Sequence, residues 1–206
     1  DFVHNCVLDF AINSDGKLLA AKPSSPQRGL VTSDEDGETW SKIGFTARDW
    51  IEVLGSKDSL IIVKKIVHAT KEESYYYSQD YGDSWDSFQP GATEYLSAVS
   101  FDSMGNIYAA TNSGLFASTD KGATWDGINS EDMDTIRVIE CNNNYIFIAG
   151  GSSTFEYILR SSNGGQDWED AGSPNTLIPE LGINRNGDLY AIAHNIPESE
   201  VVTGIY

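Results

Sequence analysis

The sequence predicts an all-β chain built from repeated four-stranded antiparallel units. Three observations carry that expectation. A short motif recurs four times at near-constant spacing, the segments between its copies alternate apolar and polar residues over strand lengths, and no stretch shows convincing helical periodicity.

The four copies are Ser33-Asp34-Glu35-Asp36-Gly37-Glu38-Thr39-Trp40, Ser78-Gln79-Asp80-Tyr81-Gly82-Asp83-Ser84-Trp85, Ser118-Thr119-Asp120-Lys121-Gly122-Ala123-Thr124-Trp125 and Ser161-Ser162-Asn163-Gly164-Gly165-Gln166-Asp167-Trp168. Their common frame is Ser-x-Asp-x-Gly-x-x-Trp, with Glu35 and Asn163 in the acid position of the first and last. The Trp residues stand 45, 40 and 43 residues apart. That period is the size of one propeller blade. Each residue type suits a tight turn. The acid and the Ser hydroxyl accept backbone N–H bonds, the Gly permits positive φ, and the Trp offers a large apolar surface to the core.

The rest of each unit follows in order. The innermost strand is read at Val7–Ile12, Leu96–Phe101 and Ile136–Ile139. A second strand follows an Asn/Asp/Gly turn, as in Asp15-Gly16-Lys17-Leu18-Leu19, Met104-Gly105-Asn106-Ile107-Tyr108 and Asn186-Gly187-Asp188-Leu189-Tyr190. A third runs into the motif Ser, through Gly29–Thr32, Tyr75–Tyr77, Gly114–Ala117 and Tyr157–Arg160. The motif Trp is expected to open the fourth. The chain then reads as a single propeller domain, 1–206, with blades near 6–47, 48–92, 93–133 and 134–173 and an incomplete fifth over 174–206. The expected whole is about 4.5–5 blades, either part of a larger propeller or a five-bladed ring with an incomplete last blade; the first is favoured.

The repeated motif resembles the Asp-box, or BNR repeat, of sialidase-like propellers. That group includes sialidases, family 74 xyloglucan hydrolases, a photosystem II assembly propeller, sortilin-type receptors and secreted bacterial surface or sensor propellers. The run Gly105-Asn106-Ile107-Tyr108-Ala109-Ala110-Thr111 with Gly114-Leu115-Phe116-Ala117-Ser118-Thr119-Asp120 looks most like the last group. The resemblance implies that the motif is structural and lies on the face opposite the ligand face. It also implies an extracellular, cell-surface or periplasmic location.

True sialidase chemistry is not expected. The family uses three Arg, a Tyr nucleophile with a Glu, and an Arg-Ile-Pro motif. This chain has Arg28, Arg48, Arg137, Arg160 and Arg185 and no Arg-Ile-Pro. No nucleophile elbow or phosphate loop occurs. The acidic cluster Glu131, Asp132 and Asp134, or Asp49, could supply paired carboxylates for glycoside hydrolysis. No catalytic residue is assigned on that basis.

Ligands are expected on the loops away from the motifs. Four of the five Trp belong to motifs; Trp50 does not. Beside Arg48 and Asp49, it suits sugar stacking with hydroxyl hydrogen bonds, or else it opens an inner strand and packs in the core. His68 lies in the longest such loop with Lys71, Glu72 and Glu73, and Tyr95 borders the loop 89–94. Arg48, Asp49, Trp50, His68 and Tyr95 form the candidate ligand set.

Composition narrows the partners. The 206 residues carry 13 Lys+Arg against 31 Asp+Glu, a formal net charge of -18. Such a surface lacks the basic patch that phosphate backbones need, so no nucleic acid is expected. No apolar run approaches a membrane span. With 40% hydrophobic residues, a folded core is expected rather than disorder. His4, His68, His194, Cys6 and Cys141 show no metal-ligand spacing, and neither metal nor cofactor is expected. The two cysteines read as buried thiols, or as one disulfide between units. Absence of a signal peptide and of an initial Met suggests a mature or trimmed chain. The sequence-level function is a non-catalytic secreted or surface propeller binding glycan or protein. A glycoside hydrolase fragment and an assembly scaffold are the alternatives.

Overall fold

The computed structural model describes residues 9–12, 16–22, 29–33, 37–45, 49–90, 95–128, 135–142, 144–151, 156–172, 178, 180–184 and 187–192. Among them every regular element is a strand. Sheet one holds β1 (Asp9–Ile12), β2 (Leu18–Lys22), β3 (Gly29–Ser33) and β4 (Ser41–Ile43) in that order. Sheet two holds β5 (Trp50–Lys57), β6 (Leu60–Ile66), β7 (Glu73–Ser78) and β8 (Asp86–Phe88). Sheet three holds β9 (Leu96–Phe101), β10 (Ile107–Thr111), β11 (Gly114–Ser118) and β12 (Asp126–Ile128). Sheet four holds β13 (Ile136–Cys141), β14 (Ile146–Gly151), β15 (Glu156–Ser161) and β16 (Glu169–Gly172). A last pair joins β17 (Glu180–Ile183) to β18 (Leu189–Ile192). All pairings are antiparallel between consecutive strands, as in propeller blades.

The fold class read from sequence is therefore the observed one, with two corrections. The fourth strand starts one residue after the motif Trp, at Ser41, Asp86, Asp126 and Glu169. The Trp side chain is held by the turn, so it ends the turn rather than opening the strand. The second correction concerns alternation. Strands β10 and β14 are buried at every position. Packing on both faces replaces alternation by a continuous run of small and apolar residues. The tightest consequence is Gly150, where a Cβ would lie 2.0 Å from the Thr135 carbonyl oxygen.

The chain divides into two compact units, Asp1–Gln89 and Pro90–Tyr206. In the first, Leu19, Ala21 and Leu30 of sheet one pack on Ile51, Val53, Ile61 and Val63 of sheet two. In the second, Tyr108, Ala110 and Leu115 of sheet three pack on Ile136, Ile139, Ile146 and Ile148 of sheet four. The other face of sheet four meets β17 through Phe147, Ala149, Ile158 and Leu181. Each such cluster is a blade-to-blade interface, and burying a large aliphatic side chain there contributes about 1.5–3 kcal/mol. Polar stitches supplement it in the second unit. Ser97 Oγ lies 2.9 Å from the Ala110 carbonyl and 2.7 Å from that of Ile136, and Ser100 Oγ accepts the Cys141 N–H at 3.0 Å.

The motif turns share one construction. The Ser hydroxyl accepts the Gly N–H in all four, at 3.1 Å for Gly37, 2.7 Å for Gly82, 2.8 Å for Gly122 and 2.8 Å for Gly165. It donates to Asp80, Asp120 and Asn163 at 2.8, 2.8 and 2.9 Å. Those side chains accept the N–H of Ser84, Thr124 and Asp167, four residues on. The indole N–H of Trp40, Trp85 and Trp125 donates to the Gly carbonyl three residues earlier. Hydrogen bonds from Ser84 and then Ser78 hold the Asp80 carboxyl down at about 2, and those from Thr124 and then Ser118 do the same for Asp120. Glu35 lies outside the described residues.

The motif Gly does more than turn the chain. A Cβ on Gly82 would come within 2.6 Å of Ile43 Cδ1, and one on Gly165 within 2.4 Å of Ile128 Cγ2. Ile43 and Ile128 end the outer strands β4 and β12 of the preceding blades. The second and fourth motifs are thus sockets for the blade before them, as well as hairpins.

A second recurring turn joins the first and second strands. Asp102 Oδ1 accepts the N–H of Met104 and Asn106, Asn142 Oδ1 those of Asn144 and Tyr145, and Asn184 Oδ1 that of Asp188. These Asx turns are what the Asn/Asp/Gly clusters of the sequence encode.

Candidate functional site

In sheet two the strand register sets the two ends apart. Ser78 pairs with Ile61, and Lys57 pairs with Leu60, so the motif turn and the β5–β6 turn share one end. Trp50 pairs with Ile66, and Ile66 pairs with Glu73, so Trp50 and the 67–72 loop share the other.

Trp50 does open an inner strand, but it is not in the core: it is 39% exposed. Its ring meets His68 edge-on, with centroids 5.9 Å apart, and Lys71 Nζ sits 4.6 Å from the ring centroid. Both partners come from the loop. That loop is tied across by Lys71 N–H to the Val67 carbonyl at 2.8 Å and Val67 N–H to the Glu72 carbonyl at 2.9 Å. The closure places Lys71 in the left-handed region, φ 64°. A bulky residue there is strained, and the pair of cross-loop bonds sustains it.

The carboxylates around the platform are engaged. Asp49 is 8% exposed and pairs with Lys65 at 3.4 Å, while Glu52 pairs with Lys64. Glu72 accepts the Thr70 hydroxyl at 3.0 Å, and Glu73 accepts that of Tyr75 at 3.1 Å. Lys65 Nζ also lies 6.0 Å from the Tyr76 ring centroid.

Of the candidate set, then, Asp49, Trp50 and His68 gather at one end of sheet two. Arg48 lies outside the described residues. Tyr95, 56% exposed, belongs to the second unit, just before β9, where its carbonyl accepts the Asn112 N–H at 3.2 Å. Asn112 is in the β10–β11 turn, so Tyr95 also stands at the end of its sheet away from the motif. Glu131, Asp132, Asp134 and Cys6 lie outside the described residues. Cys141 is half-buried at the end of β13.

Lys71 was legible as a loop residue but not as a ring partner, because sequence does not show that the loop folds back over Trp50. Glu140 carried no signal at all. It sits on β13, and burial pushes its carboxyl up to about 6. Bonds from the Cys141 N–H and Ser100 oppose that push, and the charge of Glu180 adds to it. Among the described residues, no group of three or more His, Cys, Asp or Glu is placed to hold a metal ion.

No protein-family model and no curated protein matches the chain. Solved structures do. The GH74 xyloglucanase from Xanthomonas campestris aligns over 89% of this chain and 35% of its own, at 17% identity and TM-score 0.63. A structure of YCF48 bound to D1 peptide aligns over 92% of this chain and 60% of its own, at 14% identity and TM-score 0.61. The extracellular domain of a protein from B. thetaiotaomicron, described as a one-component system, aligns over 92% and 31% at 13% identity and TM-score 0.50. At such identities the likeness shows the fold, that of a β-propeller. The chain spans about a third of the xyloglucanase and three fifths of the YCF48 structure.

Proposed function

We propose that the chain is a non-catalytic, secreted or cell-surface propeller of the Asp-box (BNR) type, binding glycan through the loop end of its second blade. The observation that carries the reading is the exposed Trp50 ring, fixed by His68 and Lys71 at the end opposite the motif turn. A rigid aromatic face with hydrogen-bonding neighbours suits a sugar ring, and its rigidity lowers the entropic cost of binding. The engagement of Asp49 and Glu52 by lysines supports binding over catalysis at this end. We take residues 1–206 as one propeller domain, with further blades of the same ring among its partners. The extracellular placement rests on the resemblance of the motifs, and no helix among the described residues is long and apolar enough to cross a membrane. A glycan array probed with the full chain tests the reading. Binding that is lost in Trp50→Ala at an unchanged melting temperature is expected; binding indifferent to that change removes Trp50 from the site.

One observation favours the hydrolase alternative. Glu140, with its carboxyl held near 6, is the kind of group that donates a proton at neutral pH. Its test is hydrolysis of xyloglucan oligosaccharides by the full chain. Cleavage that Glu140→Gln abolishes would replace the binding reading with the hydrolytic one.

A further inference from the structure

We infer that the Trp50 platform takes a glycan carrying carboxylates, a uronate-containing polysaccharide rather than a neutral one. This rests on the glycan-binding reading and names its ligand class. The chain has a net charge of -18, and the two lysines of β6 near this end, Lys64 and Lys65, are each paired with a carboxylate. Around the platform each carboxylate has a local partner. Asp49 and Glu52 hold Lys65 and Lys64, Glu72 holds the Thr70 hydroxyl, and Glu73 that of Tyr75. Lys71 and His68 are joined to no carboxylate among the described residues, and both converge on one indole ring.

The backbone keeps Lys71 there. Its left-handed conformation and the two cross-loop bonds aim the side chain over the ring instead of toward Glu72 or Glu73. Nζ lies 4.6 Å from the ring centroid. A ligand carboxylate bonded to Nζ, at about 2.8 Å, would therefore sit beside the indole within the width of a sugar ring. A uronate presents that arrangement: a C–H face to stack and a pendant carboxylate to pair. Salt screens carboxylates farther away than about 8 Å, and of the nearer ones Asp49 and Glu52 are paired with Lys65 and Lys64.

Calorimetric titration of the full chain with oligogalacturonate and with a neutral galacto-oligosaccharide of equal length tests the inference. The variants are Trp50→Ala, His68→Ala and Lys71→Asn; Asn tolerates the left-handed backbone, and melting temperatures check each fold. The acidic sugar is expected to bind at least about tenfold more tightly, and Lys71→Asn to erase most of that preference. Trp50→Ala should abolish binding of both sugars. Equal affinity for the two sugars, unchanged in Lys71→Asn, overturns the inference and leaves the glycan reading standing. If neither sugar binds, the glycan reading falls as well; polyglutamate binding that depends on Lys71 would then assign the site to an acidic protein.

Discussion

The second blade is built differently at its two ends. At one, the turn from Ser78 to Trp85 closes on itself: hydroxyl to Gly N–H, carboxylate to Ser84 N–H, indole N–H to the Gly carbonyl. At the other, the 67–72 loop ties its backbone together but leaves Trp50, His68 and Lys71 facing solvent. The bond from Gly N–H to Ser hydroxyl recurs in every other motif, and all three bonds recur in the third. Among the described residues, the second construction is found in this blade. Repetition with internally satisfied polar groups is what a structural element needs, whereas exposed side chains held rigid by strained backbone are what a binding element needs.

The largest expected effect comes from filling a socket. Gly82→Ala combines a positive φ of 94° with a clash against Ile43, and should cost about 2–4 kcal/mol in urea unfolding. Gly16→Ala is its control: φ is 79° with nothing within 4 Å, so about 1 kcal/mol is expected. Equal losses would mean that the motif Gly serves the turn alone. Next, Ser78→Ala removes a buried hydroxyl that serves both Gly82 and Asp80, and should cost about 1–3 kcal/mol.

The fourth motif sharpens the comparison further. In the second and third, a hydroxyl of Ser84 or Thr124 donates to the carboxylate of Asp80 or Asp120. In the fourth the pair is exchanged, and the Asn163 amide donates to the Asp167 carboxylate at 2.8 Å. Asn163→Asp should therefore destabilise by about 0.5–1 kcal/mol, and adding Asp167→Thr should restore stability in a double-mutant cycle. Because Asp80 and Asp120 have depressed carboxyls in the fold, their contribution is present above the ordinary carboxylate range and lost as pH falls toward about 2.

Glu140 has the opposite sign. Its carboxyl rises from 4.5 to about 6 on folding, so ionisation opposes folding above pH 6, and the penalty vanishes as pH falls below about 4.5. Glu140→Gln should stabilise at pH 8 by about 1 kcal/mol, discounted for partial exposure, and have little effect at pH 4. A pH-independent difference would mean that packing, not charge, separates the two. The smallest effect on stability, within about 0.5 kcal/mol, is expected for Trp50→Ala, which should nonetheless abolish glycan binding.

These differences also explain what the sequence conveyed. The motif end was legible because its chemistry is local: Ser78, Asp80, Gly82 and Trp85 bond to one another within eight residues. What lay beyond was the socket for Ile43, which depends on how one blade meets the next. The continuous burial of β14 escaped the alternation reading for the same reason, since sheet three covers one of its faces and β17 the other. Trp50 stood out because it has no place in the repeat. Its ring partners did not, because the path of the 67–72 loop is set by backbone closure at Val67 and Lys71. Glu140 could not be found, because its shift comes from burial between strands far apart in sequence.

The most direct test of the division of labour uses two substitutions at opposite ends of one sheet. Ser78→Ala and Trp50→Ala are each measured for urea unfolding and for titration with oligogalacturonate. The expected result is a crossed pattern, with Ser78→Ala less stable but binding as wild type when folded, and Trp50→Ala as stable as wild type but unable to bind. Loss of binding in Ser78→Ala at unchanged stability, or full binding by Trp50→Ala, would contradict it.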